Sequence, residues 1–482
     1  MKHRNFLKVR ELTVRKSLFI MLVMGILAIA VAVPAIAQWT GEPMTPGYKA
    51  PEGVGLQSVS PYVAPPDVFV PDCSKQFPED LGVRVHTNYV IYNPSRVQPR
   101  ALPDLQQPEP NVMKIVHETP ASMACVYGMG KSYPGCAPKI SMANNATGGN
   151  KAIAIVDAYD YPTALADLQY FSTFFKLPAP NFTKVIANNG CGTPIYNAGW
   201  ALEAALDIEW AHAMAPNAAI ILVEACTNSF VDLFYAEQVA IDLLLAGSGG
   251  EVSNSWSGGE WAGQTAYDDT FPAYGWSRSP QGSVSYFFAA GDNGYGAQYP
   301  SSSPWVVSAG GTTINRNPTT KAFLSESCWS GSGGGISAYE TWQTAWVGGY
   351  GMGAWASYQY SIFGQATRMT PDMSANADPA SGVYVYTTSE SPPGWYVVGG
   401  TSLATPCLAG IVNNSNNMLG VAPILGGWYT NAENNLLYSQ LQTLKEYFTN
   451  FYDVTTGSNG QPALPLWDYC TGVGSPRGRL GK

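Results

Sequence analysis

The chain is poor in positive charge and in histidine. Its 482 residues include 25 Lys and Arg, 34 Asp and Glu and only four His, and the net charge is −9 at pH 7. Such an acidic surface argues against nucleic acids and anionic membranes as partners, because their phosphates repel it. Few cations also suit a protein that must stay folded in acid, where positive charges repel one another.

The chain has few histidines that could serve as the general base of a serine nucleophile. After the N-terminal segment the chain has only His86, His117 and His212, and none lies in a sequence context typical of a Ser-His-Asp triad. The charged fraction is 12% and the apolar fraction 46%. This composition excludes global disorder and allows a large core.

None of the eight cysteines forms a CxxC pair, which argues against zinc and thiol-redox sites. An exported chain with an even number of cysteines can form disulfides. Proximity alone favours the pairs Cys125–Cys136 and Cys191–Cys226. Cys407 lies in an apolar stretch, where we expect a buried free thiol.

The first 37 residues have the pattern of a signal peptide. A basic stretch precedes an apolar run over residues 18–33, and Ala35-Ile36-Ala37 has the small-x-small form of a cleavage site. We therefore predict export with cleavage after Ala37, so that the mature protein is secreted or extracytoplasmic. A retained membrane anchor is the alternative, because about 20 apolar residues can span a bilayer.

Proline is frequent from residue 38 to about residue 110, which predicts an extended surface arm or a short pro-segment over residues 38–117. From residue 118 buried strands alternate with helices. Strands are expected at 151–157, 219–224, 251–256, 283–290 and 305–309, and helices at 162–175 and 230–245. This order predicts one large α/β domain, with a mostly parallel central sheet flanked by helices, over residues 118–482.

Two carboxylates mark a further helix at residues 199–216, which is rich in alanine. Glu203 and Asp207 are four residues apart and share one face of that helix. No Lys or Arg occurs between residues 188 and 245, so no nearby cation in the sequence offsets their repulsion. Coupled carboxyls titrate as a pair and can supply a base in acid. A solvated acidic face is the structural alternative.

Ser402 follows two glycines and a threonine and begins an apolar helical segment. A hydroxyl at a helix N-terminus lies in a positive field, which favours the negative charge that develops on an attacked carbonyl. Asp292 follows a predicted strand and is flanked by glycines, where α/β folds place ligands. A protonated Asp292 can donate a hydrogen bond to an oxyanion. An N-cap serine and an Asp-Asn-Gly turn are the alternatives for these two segments.

Taken together, these segments resemble the sedolisin family of serine-carboxyl peptidases, whose fold is subtilisin-like. The matching segments occur in family order: residues 203–209, 252–256, 289–294, 299–312, 332–337, 371–379 and 400–406. The resemblance implies Ser402 as nucleophile, Glu203 as general base and acid, and Asp207 as its proton-sharing partner. It implies Asp292 in the oxyanion hole beside the Ser402 N–H.

The resemblance leaves other positions with expected supporting roles. Glu209 also matches a family position, but its offset from Asp207 turns it off the shared face. Asp157, at the end of the first strand, is a possible partner of the triad. Glycine- and serine-rich strands are expected to bind an extended peptide by strand pairing; the predicted substrate-binding residues are Ser253, Asn254, Ser255, Trp256, Gly333 and Gly334.

The C-terminal residues 452–476 resemble the family's calcium site. Ca²⁺ prefers six or more oxygen ligands. The side chains of Asp453 and Asp468 and the carbonyls of Val454, Leu464 and Leu466 are the predicted ligands of one structural ion. Leu464 and Leu466 stand where the family usually has glycine, and the intervening loop is shorter here.

The sequence therefore predicts a secreted, monomeric, acid-active endopeptidase that hydrolyses peptides or proteins through an acyl-enzyme on Ser402. A tripeptidyl exopeptidase and a catalytically silent, calcium-binding relative are the alternatives within the family. An α/β-hydrolase esterase is a third alternative, but it requires Gly-x-Ser-x-Gly, and Ala404 stands at the last position. The family's folded pro-domain is longer than residues 38–117, so its maturation cannot be carried over.

Overall fold

The computed structural model describes residues 62–93, 115–271, 284–341, 354–364, 366–415, 421–424 and 428–478. The strands, in chain order, are β1 Val68–Phe69, β2 His86–Thr87, β3 Val90–Tyr92, β4 Ala152–Ala158, β5 Asn181–Ala187, β6 Ala219–Ala225, β7 Gly250–Asn254, β8 Trp256–Gly259, β9 Val284–Ala289, β10 Gln298–Tyr299, β11 Val307–Arg316, β12 Phe323–Cys328, β13 Gly335–Ile336, β14 Met369–Thr370, β15 Met373–Asn376, β16 Val383–Thr387, β17 Gly394–Gly399, β18 Val421–Ile424, β19 Trp428–Asn431, β20 Phe451–Tyr452 and β21 Ser475–Pro476.

The α-helices are α1 Pro120–Val126, α2 Ala164–Phe175, α3 Ala198–Met214, α4 Phe230–Ala246, α5 Ala354–Phe363, α6 Thr401–Ser415, α7 Ala432–Ser439 and α8 Leu444–Asn450. Short 3-10 helices occupy Asp72–Ser74, Pro78–Asp80, Pro134–Cys136, Met142–Asn144, Gln264–Tyr267, Pro379–Ser381 and Gln440–Gln442. The predicted helices at residues 162–175, 199–216 and 230–245 correspond to α2, α3 and α4.

A mostly parallel sheet of eight strands dominates the described chain. Its order is β12-β11-β9-β7-β4-β6-β5, and β15 also pairs with β11. All neighbours are parallel except β11 and β12, which are antiparallel. This confirms the predicted α/β architecture. The edge strand β5 was not predicted, because its exposed face interrupts the apolar run.

Both faces of the sheet are covered, as the continuous apolar strands predicted. Along β4, Ile153 and Ile155 pack into the core that contains α2, α3 and α6. Ala154 and Val156 point the other way, into the core that contains α4. Helices α3 and α6 pack against each other, which brings their N-terminal halves to the same edge of the sheet.

Part of the predicted N-terminal arm is buried. Strand β2 pairs with β8, and β3 lies between β1 and β17 in a separate sheet. From Val85 to Ile91 every residue is at most 5% exposed. The expectation of a surface position is therefore wrong for this segment, because its backbone adds to two sheets of the main domain. The boundaries 38–117 and 118–482 stay predictions.

The cysteines pair largely as expected. Disulfides join Cys125 to Cys136 and Cys191 to Cys226, and a third joins Cys328 to Cys470. Cys407 is buried and free, as predicted, and Cys73 is also free. The predicted signal peptide lies outside the described residues. Within the described ranges, no helix is long and apolar enough to cross a membrane.

Candidate active site

Helix α3 carries two acidic side chains into the core. Asn197 caps the helix, since its side chain accepts a hydrogen bond from the Trp200 N–H at 3.1 Å. Every residue from 200 to 214 is buried, so the helix is enclosed on all sides. Glu203 and Asp207 lie one turn apart with no exposed surface, which excludes the solvated acidic face.

Ser402 lies at the start of helix α6, directly after strand β17. Gly400 makes the turn between them with a φ of +109°. A Cβ there would lie 2.1 Å from the Asn88 carbonyl oxygen and 2.5 Å from Asp292 Oδ2, so only glycine fits. The Ser402 side chain is buried, and its hydroxyl donates to the Ser255 carbonyl oxygen at 3.1 Å.

Three buried carboxyl groups cluster near this serine. Among the described residues, the side-chain oxygens of Glu203 and Asp157 have no hydrogen-bond partner. Burial raises the pKa of Glu203 well above its usual value, and the charges of Asp207 and Asp157 raise it further. Burial and then Asp157 likewise raise the pKa of Asp207. Burial and then Glu224 raise the pKa of Asp157. This cluster therefore retains protons that isolated carboxyls would have lost.

Ser255 connects the carboxyl cluster to the serine. Its hydroxyl donates to Asp207 Oδ1 at 2.8 Å and lies 3.2 Å from the Ser402 carbonyl oxygen. The Ser402 hydroxyl is near enough to Glu203 to oppose part of the rise in the pKa of that carboxyl. Because the hydroxyl points at the Ser255 carbonyl, it has to turn toward Glu203 before a proton can pass between them.

Asp292 approaches Ser402 from the other side. Its Oδ1 accepts hydrogen bonds from the Thr401 N–H at 2.7 Å and the Thr401 hydroxyl at 2.8 Å. Its Oδ2 is buried and has no partner among the described residues. Burial raises the pKa of Asp292 to about 8, although the Thr401 bonds oppose the shift. In acid Asp292 is therefore protonated and can donate a hydrogen bond.

No histidine in the described chain contacts the serine. His86 Nδ1 lies 3.0 Å from the Thr87 carbonyl oxygen, and His212 Nε2 lies 3.0 Å from the Pro178 carbonyl oxygen. Burial lowers the pKa of His212, and that of His117, to about 4. The candidate proton carriers beside Ser402 are therefore carboxyls and not histidine.

The predicted substrate-binding residues lie in different places. Ser255 and Trp256 lie beside the active-site groove, the channel between β8, β17 and residues 400–402. Trp256 pairs there with Thr87, while its indole N–H donates to the Val156 carbonyl in the core. Ser253 and Asn254 are inside the central sheet, in β7.

Gly333 and Gly334 pair with the loop that carries Asp292. The Gly333 N–H donates to the Gly291 carbonyl at 2.6 Å. Gly334 and Gly296 exchange backbone hydrogen bonds in both directions. These glycines therefore support the Asp292 loop, and their role in substrate binding stays a prediction.

Sequence reasoning missed Asn88. Its backbone and side chain are fully buried in the active-site groove, and its N–H donates to Ser402 Oγ at 3.1 Å. Nothing local could have indicated this contact, because Asn88 lies 314 residues from Ser402 in the chain.

The predicted calcium ligands gather in the C-terminal loop. Asp453 Oδ1 accepts hydrogen bonds from the Tyr447 hydroxyl at 2.8 Å and the Leu466 N–H at 2.9 Å. Leu466 has a φ of +74°, the left-handed region that glycine favours. Val454 follows Asp453 with its side chain buried. Within the described ranges, no three acidic, His or Cys side chains group for metal binding, so calcium would depend on carbonyl ligands.

Protein donors already engage these oxygens. The Tyr447 hydroxyl lies 3.3 Å from the Leu466 carbonyl oxygen and 3.1 Å from that of Val473, besides Asp453. The Asp468 carboxylate accepts four hydrogen bonds; the donors are the N–H groups of Leu464, Cys470 and Thr471 and the Thr471 hydroxyl. The oxygens suit a hard cation chemically. A bound ion would have to displace the Tyr447 hydroxyl, and calcium stays a prediction.

Comparison with known proteins gives a consistent result. No family model matches the chain. Kumamolisin from Bacillus sp. (strain MN-32) is 29% identical over 366 residues, which cover 69% of this chain and 59% of kumamolisin. Xanthomonalisin from Xanthomonas sp. (strain T-22) is 24% identical over 445 residues, covering 81% of this chain and 48% of that protein. The chain thus spans only part of the length of these curated relatives.

The solved structure of Pseudomonas sedolisin (serine-carboxyl proteinase), complexed with two molecules of pseudo-iodotyrostatin, superimposes with a TM-score of 0.54 at 22% identity. The match covers 76% of this chain and 96% of that structure. The fold is therefore subtilisin-like, with a mostly parallel central sheet and flanking helices. Together with the sequence relatives, it supports the similarity to the sedolisin family that the sequence motifs predicted.

Proposed function

We propose that this protein is a secreted, acid-active serine endopeptidase in which Glu203, Asp207 and Ser402 form the catalytic triad. The observation that carries the proposal is that three groups meet: the buried pair Glu203 and Asp207, the buried Ser402, and Asp292. Among the described residues, both Glu203 oxygens and the Oδ2 of Asp292 have no hydrogen-bond partner. Burying carboxyls without partners is costly. Such groups persist where their raised pKa serves proton transfer.

The residues support an acyl-enzyme mechanism. Ser402 Oγ attacks the carbonyl carbon of the substrate, and its proton passes to Glu203, which shares that proton with Asp207. The carbon–nitrogen bond then breaks, and Glu203 gives the proton to the leaving amine. A water molecule next attacks the ester while Glu203 takes a proton from it, and Ser402 leaves with that proton restored.

Two donors are available for the oxyanion. They are the Ser402 backbone N–H and protonated Asp292, and such donors contribute most when they are fixed before the reaction. Asp292 can donate only while it holds its proton, so activity should fall as pH rises toward its pKa of about 8. Glu203 must lose its proton to act as base, which sets the acidic limit.

Strand pairing on both sides of Ser402 supports an endopeptidase over a tripeptidyl exopeptidase. Strand β8 lies on one side and β17 on the other, and each pairs with an extended segment of the chain. An enzyme that removes tripeptides needs one end of the groove closed. Products that differ in steps of three residues would favour that alternative.

The test is hydrolysis of a denatured protein at about pH 4 by the wild type, Ser402→Ala and Glu203→Gln. Glu237→Gln is the matched control, because Glu237 is another fully buried carboxyl without a partner among the described residues, on α4 away from Ser402. Loss of activity in the first two variants and not in the control is expected. Full activity in Ser402→Ala would overturn the proposal, and an inert wild type would point to the silent relative.

We also propose one structural calcium ion held by the Asp453 and Asp468 carboxylates and the carbonyls of Val454, Leu464 and Leu466. Two carboxylates and several carbonyls in one loop support this proposal. The ion would fasten the loop between β20 and β21, and no catalytic step depends on it.

A further inference from the structure

A polar side chain of the chain itself lies in the active-site groove and shows what the groove can hold. Strand β2 pairs antiparallel with β8, and β3 pairs antiparallel with β17. Between these two strands the chain passes Ser402, and Asn88 is the residue that contacts it. An extended peptide that adds to β8 would follow the same backbone path.

The backbone of Asn88 lies where the residue before a cleaved bond would lie. Its N–H donates to the Ser255 carbonyl oxygen at 3.1 Å, and its carbonyl oxygen accepts from the Ser402 N–H at 2.9 Å. A Cβ on Gly400 would lie 2.1 Å from that carbonyl oxygen and 2.5 Å from Asp292 Oδ2, so both proposed oxyanion donors border the carbonyl. The Asn88 side chain therefore lies in the pocket that would receive the substrate side chain before the cut.

This pocket is polar and is formed by Ser257 on β8 and Gln298 on β10, two strands that pair with each other. The Asn88 amide nitrogen donates to Ser257 Oγ at 2.8 Å. Ser257 has no exposed surface and Gln298 is 7% exposed. Because water has little access, a hydrogen bond that a substrate leaves unmade in this pocket is not replaced.

The Ser257 hydroxyl presents an acceptor to the incoming side chain. A serine hydroxyl has one hydrogen and two lone pairs. It lies 2.5 Å from Gln298 Oε1, an amide oxygen that only accepts, and 3.1 Å from Asn88 Oδ1. The shorter contact takes the hydrogen, so the lone pairs of Ser257 face the Asn88 NH₂ group. Gln298 thereby orients the hydroxyl.

An acceptor at this position discriminates between side chains. The NH₂ group of asparagine satisfies it. Leucine leaves it buried and unpaired, which lowers transition-state binding about tenfold or more. An ionised aspartate offers only acceptors, whereas a protonated aspartic acid has one O–H to donate. The pocket therefore favours a carboxamide, and accepts aspartic acid only in acid.

The pocket is also shallow. A Cβ on Gly291 would lie 2.5 Å from Gln298 Oε1, so the backbone of the Asp292 loop closes the far side. Lysine and arginine are longer than asparagine, and they bring a charge that a hydroxyl and an amide do not neutralise. The short carboxamide of asparagine fits both the depth and the polarity of the pocket.

We propose that the active-site groove selects peptides with asparagine immediately before the cleaved bond, and that Ser257, oriented by Gln298, determines this preference. This inference rests on the proposed function and names its substrate class. Ser402 Oγ forms the ester with the asparagine carbonyl carbon, the bond to the next nitrogen breaks, and the proton carried by Glu203 ends on that nitrogen. Water then hydrolyses the ester and restores the Ser402 hydroxyl.

The experiment uses the purified chain and peptides that differ only in the residue before the cut, which is Asn, Leu or Asp. The peptides compete in one reaction, so the ratio of their kcat/KM values does not depend on how much of the enzyme has its groove open. We expect the Asn peptide to be cleaved at least about tenfold faster than the Leu peptide. The Asp peptide should lose ground to the Asn peptide as the pH rises through about 4, where its carboxyl loses the proton that it donates.

Three variants assign the preference to the pocket. Ser257→Ala removes the acceptor and should bring the Asn-to-Leu ratio close to one. Gln298→Leu frees the Ser257 hydroxyl to donate, so the Asp peptide should depend less on pH than with the wild type. Ser302→Ala is the matched control, because this buried hydroxyl on the loop after β10 has no hydrogen-bond partner among the described residues; its ratios should equal those of the wild type.

The outcomes separate this inference from the proposed function. Ser402-dependent cleavage in which the Leu peptide equals or exceeds the Asn peptide would overturn the preference and leave the proposed function standing. An unchanged ratio in Ser257→Ala would overturn the role of Ser257. No hydrolysis of any of the peptides or of a denatured protein would overturn both proposals.

Discussion

Buried carboxyls in this molecule have two opposite kinds of surroundings, one rich in hydrogen-bond donors and one without them among the described residues. Asp372 is fully buried and receives five hydrogen bonds. The Arg368 guanidinium donates two, at 2.7 and 2.5 Å, and the Ser308 N–H, the Asn434 amide and the Tyr438 hydroxyl donate the others. The charge of Asp372 is therefore compensated from every side.

Glu203 and Asp157 are equally buried and receive no hydrogen bond from the described residues. Burial raises the pKa of both groups; the charges of Asp207 and Asp157 add to the rise for Glu203, and the charge of Glu224 adds to the rise for Asp157. A carboxyl with a cation beside it is a structural anion, and a carboxyl without one remains a proton carrier. The contrast shows that burial alone does not tell a structural carboxylate from a reactive one; the donors around it and its distance from Ser402 do.

The largest expected effect is on activity. Glu203→Gln removes the base, so kcat/KM for a peptide substrate should fall about 10²- to 10⁴-fold. The free energy of unfolding should stay equal or rise, since a buried carboxyl that repels Asp207 is lost. Peptide hydrolysis and urea unfolding on the same preparation measure both. A loss of stability as large as the loss of activity would contradict the comparison.

Removal of the cation beside the structural carboxylate should instead lower the free energy of unfolding. Arg368→Met leaves Asp372 buried without its cation, which typically costs about 3–5 kcal/mol. Adding Asp372→Asn to that variant should restore part of the free energy of unfolding, because the uncompensated charge is then gone. Urea unfolding of the wild type, the single and the double variant is the measurement. If the single and the double variant were equally stable, the charge of Asp372 would not be destabilising without Arg368, which would contradict the comparison.

Stability should fall as pH rises from about 4 to 8. Burial raises the pKa of Asp292, Glu237 and Glu251 to about 8 each. In this range the folded chain holds protons that the unfolded chain releases, so rising pH favours unfolding. Each group contributes a loss on the order of a few kcal/mol, since one pKa unit corresponds to about 1.4 kcal/mol. Thermal unfolding across this range should show a steeper fall in the wild type than in Asp292→Asn.

The smallest effect concerns the C-terminal loop. If calcium binds there, an ion at about 100 times its Kd adds about 2.7 kcal/mol to the free energy of unfolding. A chelator should then lower the Tm of the wild type and leave Asp468→Asn unchanged. Tyr447→Phe removes the hydroxyl that competes for Asp453 and Leu466, so calcium should bind it more tightly. If neither the chelator nor calcium changes the Tm of the wild type, the prediction is wrong.

Much of the fold could be predicted because its signals are local. The apolar run of β4, the alanine-rich stretch of α3 and the spacing of Glu203 and Asp207 depend only on neighbouring residues. Strand β5 was missed because one of its faces is exposed, and the disulfide Cys328–Cys470 because its cysteines are 142 residues apart.

By itself the sequence determined the α/β architecture, the resemblance to the sedolisin family and the residues that carry the proposed chemistry, since these follow from periodicity and from motifs in a set order. Only the tertiary structure decided which carboxyls lack partners and what fills the groove. Asn88 meets Ser402 because two strands of the arm pair with β8 and β17. Contacts of that range arise from the packing of the whole chain, and no short stretch of residues encodes them.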